Sequence, residues 1–351
     1  MTISAYIQAM PKVELHVHLE GSIRPETFLK LADRHQIELP AKDLAGLRRW
    51  YQFTDFNHFI DVYLKIAASL KTPEDIELIA REFLAGQAEQ NVRYSEVIYS
   101  PYNQYLASGI PFDEQLDALN RARGWAKREH GVSCQFIMDV SRETTPGQGE
   151  IVAGWAIGAL GKGVCALGLG GPEVGNPPVK FKSAFDMAYE AGLPALPHAG
   201  ETVGPESVRG ALEWLHPRRI EHGVRAMEDP ALVAVLLENQ MPLDVCPTSN
   251  ICLKVYPSLE EHPLPKMFDL GLNVTLNSDD PPMFSTTLTE EYQHAVNEMG
   301  MDLAQLEQMV RNAIQASLLG EAEKADLLET FAAENERLAG LYLAEWDASA
   351  V

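Results

Sequence analysis

Short apolar runs alternate with longer stretches of helical periodicity along almost the whole chain. The β-like runs are Val13–His18, Val92–Ser100, Cys134–Val140, Val164–Gly170, Ala195–Ala199, Arg219–Gly223, Leu243–Cys246 and Asn273–Asn277. Several are short and lack clean alternation, the texture of parallel strands covered on both faces. Between them, Phe56, Phe59, Ile60, Tyr63, Ala67 and Leu70 recur at i, i+3, i+4, i+7 spacing, and Leu303, Leu306, Met309, Val310, Ala313 and Ile314 form a second helical stripe. Pro205 suits the first position of a helix over Glu206–Leu215, and the Ala/Glu/Leu-rich stretch Glu321–Trp346 predicts one or two terminal helices. The most apolar segment, Ile151–Gly171, is interrupted by Lys162 and seven glycines. It reads as a helix, a turn and a strand, and is a poor membrane span.

Eight strands alternating with helices predict an α/β fold, a (β/α)8 TIM barrel, as one domain over residues 1–351. A doubly wound open sheet has little support, because no G-x-G-x-x-G follows the first strand. The barrel makes a sharp demand: reactive side chains should sit at the carboxyl ends of the strands.

Composition narrows the partners. With 28 Lys+Arg against 50 Asp+Glu the net charge is −22 over 351 residues. Such an excess argues against duplex nucleic acid or an anionic membrane surface, both of which require a basic face. A small neutral or cationic ligand remains compatible. Cys134, Cys165, Cys246 and Cys252 form no C-x-x-C pair and read as reduced thiols. The amino-terminal stretch has neither a basic segment nor a long apolar one of the secretory kind, so the expected location is cytoplasmic.

The chemistry collects where the barrel requires it. The first strand ends in His16-Val17-His18, whose side chains share one face about 7 Å apart along the strand. An H-x-H pair alone is a weak signal. Here it is joined by His198-Ala199-Gly200-Glu201 at the end of strand five, Glu221-His222-Gly223 at strand six and Asn277-Ser278-Asp279-Asp280-Pro281 at strand eight. Three imidazoles and a carboxylate suit zinc or another first-row ion, with water completing the shell. A hydrolytic site of that kind also needs an acid/base group beside the water, and Glu201, three residues after His198, is placed for it. His222 is placed to keep the attacking water aimed. The remaining histidines, His35, His58, His130, His216, His262 and His294, have no such company and read as surface or packing residues.

The strings PKVELHVHLEGSIRPETFLKLA (Pro11–Ala32), HAGE (His198–Glu201), IEHGV (Ile220–Val224), CPTSN (Cys246–Asn250) and NSDDPPMF (Asn277–Phe284) resemble, in order, those of the adenosine deaminase family. The resemblance extends from residue 11 to about 325 and is specific jointly, not motif by motif. It implies a zinc-dependent (β/α)8 barrel of the amidohydrolase superfamily, with one Zn2+ per chain. The implied reaction is attack of metal-activated water on C6 of a purine, with loss of ammonia. On this resemblance His16, His18, His198 and Asp279 correspond to the metal ligands. Glu201 corresponds to the acid that protonates N1, and His222 to the histidine that orients the nucleophile. Asp280 corresponds to the group bonded to N7. In GLGGPEVG (Gly168–Gly175), Gly171 corresponds to the residue whose backbone N–H reaches N3.

Two departures bear on specificity. The family commonly has Asp where this chain has Glu20, at the position facing the ribose 5′ end, and Pro172 replaces a common acidic residue. Glu at that position also occurs in relatives acting on free adenine or on adenine with a modified 5′ group. The expected activity is therefore adenosine to inosine first. Adenine, or 6-amino-6-deoxyfutalosine (a menaquinone precursor with a bulky 5′ substituent), is the alternative. Trp50, Phe53, Phe56 and Phe59 fall where the family places a lid over the barrel mouth, and they fit a core helix face equally well.

Overall fold

A computed structural model describes residues 2–41 and 43–343. Eight parallel strands follow one another around a (β/α)8 barrel: β1 Lys12–His18, β2 Val92–Tyr99, β3 Ser133–Ser141, β4 Val164–Gly170, β5 Ala195–Ala199, β6 Ile220–His222, β7 Leu243–Val245 and β8 Val274–Leu276. Each falls within a residue or two of the apolar run expected for it. The expected helices are equally plain. Phe56–Ala67, Pro205–Trp214, with proline at its first turn, and Leu303–Ala316 are α-helices, and Glu321–Tyr342 is one continuous helix. Residues 344–346 of the last expected stretch lie outside the described residues. The apolar segment at 151–171 breaks as expected. The helix Pro146–Ala159 ends before Gly161 and Gly163, both at positive φ, and β4 follows. Among the described residues no helix is long and apolar enough to cross a membrane.

Ring closure depends on a side chain. The Asn277 Oδ1 accepts from the backbone N–H of Leu15 at 2.8 Å and of His16 at 3.1 Å, so an amide does the work of a strand carbonyl. Beyond it, His18 N–H donates to Asp279 O at 2.9 Å, and Asp279 N–H donates to His16 O at 3.2 Å. The amino-terminal end of the barrel is plugged by charge. Arg219, fully buried, pairs with Glu96 at 2.8 Å and with Asp244, and also donates to Ala316 O at 3.1 Å. Above this plug, Ile98, Ile137, Cys165, Ala166 and Leu196 form a small apolar cluster, against which Leu318 packs. The floor beneath the strand ends is therefore a closed ion-pair network with an apolar cluster beside it.

Lys12, at the start of β1, is 0% exposed and donates only to the carbonyls of Met10 and Gln90. Burial lowers its pKa from 10.5 to about 7. A depressed lysine pKa means that the fold disfavours the ammonium. The cost is complete below pH 7 and fades as pH rises toward 10.5. Lys12→Met should therefore gain most over wild type in melting temperature near pH 6. That advantage should shrink steadily by pH 10; a pH-independent difference would show that the ammonium is solvated.

Candidate active site

The carboxyl ends of β1, β5, β6 and β8 bring the expected residues together. His16 and His18 project from the last turns of β1, and His198 from β5. The Nε2 atoms of His18 and His198 face each other at 3.2 Å. The Asp279 Oδ1 lies 3.6 Å from His16 Nε2 and 3.4 Å from His18 Nε2. His222 joins from β6, its Nε2 3.8 Å from Asp279 Oδ2 and 3.6 Å from Glu201 Oε1. All six side chains are buried or nearly so.

The set fits a bound cation. Neither ring nitrogen of the fully buried His16 has a hydrogen-bond partner among the described residues. Two imidazole nitrogens directed at each other at 3.2 Å across an aspartate need a proton or a metal between them, since their lone pairs otherwise repel. The ligand atoms of His16, His198 and His222, and those of His18, Asp279 and Asp280, form groups compact enough to hold one ion.

The surrounding charges sort the protonation states. For Asp279, burial opposes ionisation but the imidazoles of His16, His222 and His18 outweigh it, and its pKa falls well below the usual range. Burial lowers His18 to about 3 and takes His222 well below its ordinary value, so both imidazoles are neutral. His198 is the exception. Burial would lower it, but Glu221 Oε2 lies 2.6 Å from its Nδ1 and raises it to about 10. That pairing fixes the tautomer, aims Nε2 at the cluster and makes the imidazole a stronger donor. Burial, followed by the nearby carboxylates of Asp279 and Glu173, lifts Glu201 to about 8. Burial and the adjoining Asp279 hold Asp280 well above the carboxylate range.

Local backbone geometry serves the same end. His222 and Asp279 both adopt left-handed conformations, with φ of 65° and 64°. These cost about 1–2 kcal/mol each and are held by the surrounding hydrogen bonds. Gly171 sits at φ 90° beside the cleft, where its backbone can approach a ligand. From the CPTSN string after β7, Ser249 donates to Asp279 Oδ2 at 2.7 Å and helps orient that carboxylate. Cys246 is buried close to His16 and Asp279.

Sequence reasoning missed two carboxylates. Glu221 was in view beside His222, but its pairing follows from the β5–β6 register, which sets His198 against Glu221. Glu173 accepts from the backbone N–H groups of Gly200 (2.9 Å), Glu201 (3.1 Å), Thr202 (2.6 Å) and Val203 (2.8 Å) and from the Ser207 hydroxyl, clamping the loop that carries Glu201. Only its place two residues after Gly171 hinted at this.

Above the cluster is a cleft open to solvent, about 620 Å³ when the open space at its mouth is included. His18, His198, Glu201, His222, Asp279, Asp280 and Gly171 line it. Phe56, Phe59, Ile60 and Leu64 form an apolar wall from the helix Phe56–Ala67. The aromatic lid is thus half realised. Phe56 and Phe59 face the cleft, whereas Trp50 stacks on Phe28 and Phe53 packs on Phe59 and Phe284. Glu20 lines a smaller adjoining cavity and not the main cleft.

The sequence profile described as adenosine deaminase matches residues 11–334. This chain belongs to the adenosine deaminase family. An aminodeoxyfutalosine deaminase from Streptomyces coelicolor is 40% identical over 336 residues, covering 94% of this chain and 87% of the relative. Among solved structures, an adenine deaminase from Arthrobacter aurescens is 34% identical with a TM-score of 0.88, covering 95% of this chain and all of the other. An amidohydrolase from Burkholderia ambifaria with bound Zn is 29% identical with a TM-score of 0.91, covering 98% and 96%. The chain is accordingly a hydrolytic deaminase of adenine-type substrates. The first two of these are named for aminodeoxyfutalosine and adenine, which favours the alternative substrates over the adenosine that the motifs put first.

Gly21 tests how tightly the deaminase site is built. A Cβ there would lie 1.5 Å from Asp280 Oδ1 and must displace that carboxyl. Gly21→Ala should cut deaminase kcat/KM at least tenfold while circular dichroism stays native. Full activity would show that the position of Asp280 is immaterial.

Proposed function

We propose that this enzyme removes the 6-amino group of an adenine nucleoside extended at its 5′ carbon, with 6-amino-6-deoxyfutalosine as the named candidate. The carrying observation is the open cleft whose floor is the His/Asp cluster and whose wall is the apolar face of Phe56, Phe59, Ile60 and Leu64. Free adenine would leave much of that wall in water, whereas a substituted nucleoside covers it. The aminodeoxyfutalosine deaminase relative, at 40% identity, supports the same choice. Adenine is the second reading, supported by the Arthrobacter enzyme.

In this reading His16, His18, His198 and Asp279 hold one zinc ion per chain. Zinc, when bound, lowers the pKa of water to about 7 and so supplies a nucleophile at neutral pH. Glu201, raised to about 8, carries its proton at neutral pH and delivers it to N1, which makes C6 more electrophilic. His222 is neutral and accepts a hydrogen bond from the attacking water, keeping it aimed at C6. Asp280 remains protonated and donates to N7, an acceptor. The Gly171 N–H meets N3. Water adds at C6, the amino nitrogen departs as ammonia, and a 6-oxopurine remains, so the reaction needs no oxidant or second substrate.

The deciding experiment compares kcat/KM for 6-amino-6-deoxyfutalosine, adenosine and adenine by ammonia release. The 5′-extended nucleoside should lead by at least tenfold; adenine as the best substrate would hand the assignment to the second reading. Chelation should abolish all three activities, and zinc should restore them. Glu221→Gln should weaken zinc retention against a competing chelator by about 10–100-fold. Unchanged retention would show that the charge of Glu221 does not strengthen His198 as a ligand.

A further inference from the structure

Asp139, near the end of β3, is an acid of the main cleft to which the reaction above gives no role. It is 4% exposed and lines the cleft beside Ser141, Gly170 and Gly171. The neighbouring strand is shaped to take its carboxyl. Asp139 stands opposite Gly168 in the β3–β4 register. A Cβ at Gly168 would lie 2.6 Å from its Oδ1, and one at Gly170 2.6 Å from its Oδ2. Oδ1 nevertheless has no hydrogen-bond partner among the described residues. The charges around it are mixed. His198 on β5 and Arg142 beyond β3 favour the carboxylate, whereas Glu221 on β6 and Glu20 after β1 oppose it. Burial is the largest influence, and the pKa rises to about 8, so the group carries its proton at neutral pH.

We propose that Asp139 is a further catalytic acid, which gives its proton to the departing 6-amino nitrogen. The inference rests on the deaminase reading above and supplies the proton donor for its last step. With N1 on Glu201 after β5 and N7 on Asp280 after β8, the purine plane runs across the mouth from β5 to β8. One face then looks toward β6 and β7, where His222 aims the water. The other looks toward β1–β4, where Asp139 stands. Addition to one face makes C6 tetrahedral and pushes the amino group toward the other. In bound substrate N1, N3 and N7 are already engaged, and the amino lone pair is delocalised into the ring. The Asp139 hydroxyl therefore has no ring acceptor. In the adduct that lone pair is free and basic, so the acid meets its acceptor only after attack, which accelerates chemistry more than binding. Asp139 then gives up its proton, the C6–N bond breaks with its electron pair on nitrogen, and ammonia leaves. The C6 hydroxyl becomes the 6-oxo group by passing its proton to the Glu201 carboxylate. The proton that the attacking water lost to His222 returns to Asp139 through solvent, and every group is reset.

Asp139→Asn keeps the shape between the two glycines but cannot release the proton. Its kcat on the best 6-amino substrate should fall about 100-fold or more, with KM little changed. The 6-chloro analogue of the same substrate loses chloride, which needs no proton. The ratio of deamination to dechlorination should therefore fall at least about thirtyfold relative to wild type. The 15N isotope effect at the 6-amino position should rise in the variant, because C–N cleavage becomes the slow step. Equal losses on both leaving groups, or an unchanged isotope effect, would make Asp139 a structural residue and overturn the proposal, as would an undiminished kcat. A wild type that prefers adenine alters the substrate assignment alone, since each comparison is made on one substrate. A wild type that releases ammonia from no 6-aminopurine overturns the deaminase reading, and this step with it.

Discussion

Between β8 and β1 the barrel closes through side chains as well as backbone, and the site is built on that seam. Asn277 caps two β1 amides, and Asp279 exchanges backbone hydrogen bonds with His16 and His18. Those bonds hold Asp279 in a left-handed conformation that it would not choose alone. They also bring its carboxylate to within 3.4–3.6 Å of two imidazoles from the neighbouring strand. Ring closure and ligand geometry are thus the same set of contacts.

Two polar layers in the barrel do different work. At the amino-terminal end, Arg219 balances Glu96 and Asp244, all fully buried, and a satisfied network of this kind makes a firm floor. At the carboxyl end, by contrast, acids and imidazoles converge with unpartnered nitrogens and raised carboxyl pKa values. The first arrangement is complete without a ligand. The second leaves buried nitrogens and carboxylate oxygens without partners among the described residues, and this asymmetry marks the functional end. Glu173 orders the same end, since one carboxylate gathers four consecutive amides around Glu201.

Much of this was legible from residue order. The eight apolar runs located all eight strands because parallel barrel strands are buried on both faces, and helical spacing located the covering helices. The H-x-H pair and the clusters after β5, β6 and β8 were readable because barrel chemistry is confined to strand ends. Glu221 was not readable as the partner of His198, because the pairing depends on which residues stand opposite in neighbouring strands. Trp50 and Phe53 follow the same three-residue spacing as Phe56 and Phe59, yet Trp50 ends a separate helix, Leu44–Trp50, Phe53 lies between helices, and only Phe56 and Phe59 on the helix Phe56–Ala67 line the cleft.

The chain by itself determined the strand count, the barrel and the kind of chemistry, because local periodicity and the identity of strand-end side chains carry that information. It also carried Glu20, where the family commonly has Asp. Tertiary structure alone decided which carboxylates are ionised. That depends on burial and on charges brought together from residues as far apart as 16 and 279. It alone decided the shape of the space above the cluster, since the 620 Å³ cleft and its side cavity are bounded by segments distant in sequence. Volume and electrostatic environment are properties of packing, and no single stretch of sequence contains them.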